Sequence, residues 1–198
     1  MQKGTEVGFK SLITEEEYNR LINQFKGGKI DYQTNHYFDT PRFSLKGYST
    51  SLRVRERDTL EITLKRKKGY SINVNTFEIT NEQFQDIIEN GIIPFPEIQN
   101  ILSPLIGEQR IYRFLSLATE RLFLPYDNGI LFIDKSNYTF YIDDKTYSGY
   151  QDYEIEYVSQ SYYQGKKEFI DLITNLNIKY NKADKKIKRA YTILKGLR

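Results

Sequence analysis

The sequence predicts a β-dominated α+β fold in which antiparallel strands close into a barrel and helices pack on its outside. Two observations lead there. Tyr and Phe contribute 17 and 12 residues, so that aromatics make up 15% of the chain with no Trp, and such side chains suit pleated sheets. Segment after segment also alternates, charged on one face and apolar on the other, in the order Glu/Lys, Arg/Arg, Lys/Lys, Glu, Arg and Asp/Glu/Glu. Independent strands seldom all do this for solubility. A closed barrel would turn the charged faces toward a hydrated lumen, put the greasy faces under helices and leave no strand edge open. At 198 residues the chain can build one good core and is expected to form a single domain.

Taken in order, Thr5 to Lys10 reads as a strand with Glu6, Gly8 and Lys10 on one face and Val7 and Phe9 on the other. Thr14 with Glu17 three residues on forms a capping box, and Tyr18, Leu21, Ile22 and Phe25 repeat at helical spacing until Gly27 and Gly28 end the helix. Asn35 to Pro41 is a short aromatic strand broken by proline, and its His36 is read as a satisfied surface or core residue rather than a ligand.

The stretch Ser51 to Lys67 organises the rest. Read as two strands joined by a polar turn near Asp58, it sends Arg53, Arg55 and Arg57 to one face of the first strand, and Glu61, Thr63, Lys65 and Lys67 to one face of its partner. Leu52, Val54, Ile62 and Leu64 share the opposite face. Crowded cations repel one another and are costly to desolvate unless something anionic answers them. A polyphosphate would do so; an open, merely solvated face is the alternative.

Ser71 to Thr80 alternates again and carries Glu78. Asn81 is expected to cap a helix that turns Phe84, Ile87 and Ile88 inward and stops at Gly91, and Pro94, Pro96 and Pro104 make 92–107 a connection with a short helix at most. Strand signals return at Ser116 to Leu124, Ile130 to Asp134, Tyr138 to Ile142 and Tyr150 to Val158, with Asn128-Gly129 as a hairpin turn between the first two. Gly165-Lys166 lacks the preceding glycine of a phosphate-binding loop and is read as a turn. A helix over Lys167 to Leu176 follows, and the basic tail 181–196 is read as another helix.

The last strand places Asp152, Glu154 and Glu156 on one face and Tyr153, Ile155 and Tyr157 on the other. Carboxylates on alternate strand positions repel, and facing Lys/Arg or a hard divalent cation such as Mg²⁺ or Mn²⁺ would relieve them; an exposed acidic edge is the alternative.

Composition excludes other chemistries. Without Cys there is no disulfide frame, thiolate zinc site or cysteine nucleophile, and one His excludes imidazole-rich metal sites. A net charge of +3 does not suit a general nucleic-acid binder, although the basic tail leaves RNA as a minor alternative. No apolar run nears the roughly 20 residues that span a bilayer, and no signal-peptide core is seen, so a cytoplasmic protein with no membrane partner is expected.

These residues together resemble the CYTH proteins, or triphosphate tunnel metalloenzymes, and most nearly the CYTH proteins of low-GC Gram-positive bacteria. The likeness rests on EVGFK at 6–10 against the family's ExExK, YFDTP at 37–41, LRVR at 52–55, TLK at 63–65, Arg121 within TERLFLPY, DYEIEY at 152–157 and KIKRAY near the end. It spans nearly the whole chain in the family's order, far more specific than any one motif.

The resemblance implies an eight-stranded antiparallel tunnel forming one CYTH domain over 1–198, which binds an inorganic or organic triphosphate with Mg²⁺ or Mn²⁺ and hydrolyses it. It places phosphate on Lys10, Arg53, Arg55, Lys65, Arg121 and Lys186, with Lys67 and Arg189 added on parity and proximity. Metal would fall on Glu6, Glu154 and Glu156, and on Asp143, with Asp134 the other candidate because an extra hairpin is expected there. Glu78 would orient the arginines. Water would attack the terminal phosphorus, with Tyr37 and Lys65 implied as its activating pair and a tunnel carboxylate as the rival. Ser51 stands where the family's thiamine triphosphatases carry an aromatic residue, which favours inorganic tripolyphosphate over thiamine triphosphate; class IV adenylate cyclases share the tunnel. Gly8 departs from the family, replacing the second glutamate of ExExK, and opens a second reading: a polyphosphate or nucleotide sensor without turnover.

Overall fold

The structure is a computed structural model and describes residues 6–197. Thr5, expected to open the first strand, lies outside them. Among the described residues the chain forms β1 (Val7–Ile13), α1 (Glu15–Gln24), β2 (Lys29–Asp39), α2 (Ser44–Gly47), β3 (Thr50–Glu56), β4 (Leu60–Lys68), β5 (Ser71–Ile79), α3 (Asn81–Asn90), α4 (Pro96–Ile106), β6 (Tyr112–Tyr126), β7 (Gly129–Ile142), β8 (Lys145–Ser159), α5 (Tyr162–Asn175) and α6 (Lys186–Leu197). The strands form one eight-stranded sheet in the order β1-β8-β7-β6-β2-β3-β4-β5. β1 and β5 end that order, and among the described residues no ladder joins them, so the expected barrel closure is not found.

The chain divides into two compact units. One holds the described residues through Tyr32, Thr119–Asn137 and those from Gly149 on; the other holds Gln33–Ala118 and Tyr138–Ser148.

In the first unit β1 pairs antiparallel with β8, Lys10 opposite Glu156 and Leu12 opposite Glu154. The other side of β1 is met by the segment before α6: the Leu12 amide donates to the Asn181 carbonyl at 2.7 Å, and Ser11 bridges to Lys182. A strand edge that would otherwise be open is thereby covered. Apolar side chains on the opposite face of these strands build a core of Ile13, Leu131, Ile133, Tyr153, Ile155 and Tyr157 with Tyr18 and Leu21 of α1 and Phe169 and Leu172 of α5. Thr14 caps α1 with the expected box, Glu17 reaching back to its backbone. Gly165 is a correction: it lies inside α5, which starts at Tyr162 behind a Ser161 cap rather than at Lys167. A Cβ there would sit 2.6 Å from that of Ser159 and 2.9 Å from the Phe9 ring. Glycine therefore lets the helix approach the sheet, where a turn was expected.

In the second unit β2, β3, β4 and β5 form an antiparallel meander. Tyr37 faces Arg53, Arg53 faces Thr63 and Thr63 faces Thr76 in consecutive ladders. Leu52, Val54, Ile62 and Leu64 are wholly buried, under Phe84 and Ile87 of α3 and Ile98 and Leu102 of α4. Two elements differ from expectation. Thr80, not Asn81, caps α3, because its hydroxyl accepts from Gln83 and the Gln83 side chain answers its amide. The proline-containing segment forms α4 of eleven residues, since Pro96 stands in the first turn, where proline lacks nothing the helix needs. His36 is a satisfied core residue, as expected: Nδ1 is 2.8 Å from the Ser116 hydroxyl and Nε2 3.3 Å from Glu56.

The segments 130–134 and 138–142 are one continuous strand, β7, so the extra hairpin does not exist. The turn before it is made by Asp127 and Asn128, with Asp127 at φ 46°, and Gly129 already belongs to the strand.

Candidate functional site

Two groups of charged side chains follow from this architecture, one in each unit. In the first unit, alternation along β8 puts Asp152, Glu154 and Glu156 on one face, and four cations meet them together with Asp134 of β7. Lys10 Nζ lies 3.2 Å from Glu154 and 3.0 Å from Glu156. Arg121 holds Asp134 through two parallel bonds, at 2.7 and 2.6 Å, and lies 3.7 Å from Glu156. Lys186 bonds Asp134 and stands 3.6 Å from Glu154. Arg189, one turn further along α6, forks onto Asp152 at 2.7 and 3.0 Å and donates to Glu154 at 2.7 Å.

Four carboxylates thus answer four cations in a largely dehydrated cluster; the side chains of Asp134 and Glu154 are each 1% exposed. Burial by itself would raise the pKa of Asp134, but hydrogen bonds from Arg121 and the charges of Lys186 and Arg121 overcome it and hold the carboxyl below its usual range. Glu154 is likewise lowered, burial being outweighed by Lys186, Lys10 and Arg189. Burial would lower Lys10, yet Glu154 and Glu156 raise it.

In the second unit the register lays out one charged face row by row: Asn35, Arg55, Glu61 and Glu78; then Tyr37, Arg53, Thr63 and Thr76; then Ser51, Lys65 and Val74; then Lys67 and Ile72. Here carboxylates do not saturate the two arginines. The Nε atoms of Arg53 and Arg55 are buried with no hydrogen-bond acceptor, and the nearest ion pair of Arg55, to Glu61, is 3.9 Å long. Burial and then the neighbouring Arg53 depress the pKa of Arg55, against the pull of Glu61. Buried guanidinium donors without acceptors are costly, and on a face this rich in cations an anion would remove that cost.

The expected site residues therefore fall into distinct places. Lys10, Arg121, Lys186 and Arg189 stand together with Glu154 and Glu156 in the first unit. Arg53, Arg55, Lys65, Lys67 and Tyr37 share the face in the second. Glu6 is exposed, just ahead of β1. Asp143 belongs to the second unit and is exposed in the β7–β8 turn with φ 48°, whereas Asp134 of the first unit is buried within the acidic cluster. Asp152, grouped with Glu154 and Glu156 by parity but not among the metal ligands that the resemblance implied, is met by a facing arginine, Arg189. Gly8 lies one alternation from Lys10 on β1, and a Cβ on it would come within 2.7 Å of a Glu156 carboxylate oxygen.

A divalent cation would find oxygen donors of the right kind in Glu154 and Glu156, which already share one positive charge, the Lys10 ammonium. Among the described residues, no three Asp, Glu or His side chains converge in a group that could hold a metal ion.

The family model for the CYTH domain matches residues 4–191. The chain belongs to the CYTH family. This CYTH protein is 28% identical over 197 residues to a candidate triphosphatase of Bacillus subtilis, YjbK, with 96% of each chain covered. Its structure resembles that of a candidate adenylate cyclase from Bacillus halodurans at TM-score 0.73 and 29% identity, covering 96% of this chain and 98% of that one. A candidate adenylyl cyclase from Hippeastrum, described as having a dominant triphosphatase activity, matches at TM-score 0.69 and 18% identity over 92% of both chains, a likeness that bears on the fold. No helix among the described residues is long and apolar enough to cross a membrane.

Proposed function

We propose that this CYTH protein hydrolyses a linear triphosphate with the help of Mg²⁺ or Mn²⁺, acting as one domain whose strands close into a tunnel around the substrate, in the cytoplasm. The observation that carries the reading is the pair of buried, acceptorless Nε groups of Arg53 and Arg55 on the face that also bears Lys65 and Lys67. Anionic oxygens are the acceptors such donors match, and guanidinium groups bind them in pairs of bonds. Membership of the CYTH family, with a 28% identical relative named as a candidate triphosphatase, points the same way.

Phosphoryl transfer is governed by positioning and charge stabilisation. Arg53, Arg55, Lys65 and Lys67 clamp the phosphate chain; Lys10, Arg121, Lys186 and Arg189 are the phosphate ligands of the first unit and would exchange some of their carboxylate partners for phosphate oxygens. Glu154 and Glu156, with Glu6, are the residues that would hold the divalent ion. When bound, that ion supplies charge neutralisation at the phosphate oxygens. Tyr37 and Lys65 orient the attacking water; its oxygen bonds to the terminal phosphorus, the bridging P–O bond breaks, and orthophosphate and the diphosphate or its ester leave, the proton lost by the water passing to solvent.

The test is phosphate release from tripolyphosphate, ATP and thiamine triphosphate with Mg²⁺ and with Mn²⁺, in the native protein and in Arg53→Ala. Metal-dependent release that falls at least tenfold in the variant is expected. Absence of release together with absence of binding would overturn the reading.

Gly8 favours a second reading, binding without turnover, because no carboxylate stands there beside Glu156. Activity in the native chain excludes it; activity only in Gly8→Glu supports it.

A further inference from the structure

On β7, alternation sends Leu131 and Ile133 into the core of the first unit and turns Phe132 to the other face, the one that bears Asp134. Phe132 is half-buried there, an aromatic ring among charged side chains and outside the core that its two neighbours help to build. What it meets is Arg121 of β6, whose guanidinium carbon stands 4.5 Å from the ring centroid. One strand thus gives Arg121 two supports, a carboxylate at its edge and a ring against its flat face. The fork onto Asp134 leaves from Nε and Nη2. Two parallel bonds to one carboxylate define a line about which the guanidinium can still tilt, and a stacked ring opposes that tilt. Phe132 is itself backed by Phe123 of β6, with ring centroids 6.3 Å apart.

We propose that Phe132 is a positioning residue for phosphate binding: stacked on Arg121, it holds the guanidinium in the plane in which its outer edge, Nη1 together with the second hydrogen of Nη2, meets a phosphate group of the substrate. The inference rests on the function proposed above. A guanidinium carries more N–H donors than one carboxylate can take. Among the described residues, the hydrogen bonds of Arg121 leave from Nε and Nη2 only, both to Asp134, so the outer pair of donors remains for an anion. Glu156, 3.7 Å from Nη2, is too far for a hydrogen bond. Arg121 therefore takes a phosphate through two parallel bonds while it keeps Asp134, giving up only the approach to Glu156. A guanidinium free to tilt would present that edge correctly in a fraction of its orientations. Phe132 touches no substrate atom in this arrangement and acts through Arg121.

The test is a double-mutant cycle on tripolyphosphate with the native chain, Phe132→Leu, Arg121→Gln and the double variant, and with Phe132→Tyr as the variant that keeps a ring. Values of kcat/KM are measured or, if the protein binds without turnover, Kd by calorimetry, at a temperature well below every melt so that folded proteins are compared. Phe132→Leu should lose about five- to tenfold in the native background and less than about twofold in Arg121→Gln, while Phe132→Tyr stays within about twofold of native. In the ligand-free protein the ring should shift the Arg121 Nε–H proton upfield in NMR spectra, and Phe132→Leu should abolish that shift. Additive losses in the cycle, a Phe132→Tyr loss equal to that of Phe132→Leu, or an Arg121 resonance indifferent to Phe132→Leu overturns the inference and leaves the triphosphate reading standing. Should Arg121→Gln not fold, the ring rescue and the spectrum decide. If the native chain neither binds nor hydrolyses tripolyphosphate, ATP or thiamine triphosphate, the triphosphate reading fails and the inference falls with it.

Discussion

Arg121 grips Asp134 through two parallel hydrogen bonds, Nε to Oδ1 at 2.7 Å and a terminal guanidinium nitrogen to Oδ2 at 2.6 Å, with the Asp134 side chain 1% exposed. Lys186 completes the site on the same carboxylate. Asp134 is therefore the anion on which two cations from β6 and α6 depend.

Asp134→Ala should destabilise the protein by about 3 kcal/mol, because removing one partner leaves buried charge uncompensated. Urea denaturation checks this. Asp143→Asn, in the exposed turn, should change stability by less than about 0.5 kcal/mol, since asparagine tolerates the positive φ of that position as aspartate does.

Stability should respond to pH at both ends. Asp134 and Glu154 have folded pKa values below their unfolded ones, so their stabilisation is complete above the unfolded values of about 4 and is lost as pH falls through the folded values. Lys10 is raised, so its contribution is complete below the unfolded value of about 10.4 and is lost as pH rises through the folded one. Thermal melts should show a plateau between, and Asp134→Asn should flatten the acid limb.

Arg53→Gln should weaken triphosphate binding by about tenfold or more while leaving the melting temperature equal or higher, since a buried donor without an acceptor is removed. Calorimetric titration and a melt of the same sample check both halves.

Gly165→Ala should cost about 1–3 kcal/mol, because its Cβ would press on Ser159 and Phe9. A matched Gly27→Ala, with nothing within 4 Å of the added atom, should be close to neutral; urea midpoints distinguish them.

Local pattern alone determined a good part of this protein. Period-2 alternation placed Arg53, Arg55, Lys65 and Lys67 on one face and buried Leu52, Val54, Ile62 and Leu64 on the other, because a pleated strand allows no third choice. The Thr14 capping box was equally local. The motifs in their order carried the family. What sequence spacing could not supply was partnership across the fold. Lys10, Arg121, Lys186 and Arg189 read as phosphate ligands, yet the folded chain gives each of them a carboxylate, since charges taken out of water pair with whatever opposite charge the tertiary contacts bring near. The same holds for Asp134 over Asp143, which required knowing that β7 runs unbroken to Ile142. The alternation of β5 was written in the residues of 71–79, but which residues it faces depended on the register with β4, which sets Ile72 opposite Lys67 and Val74 opposite Lys65.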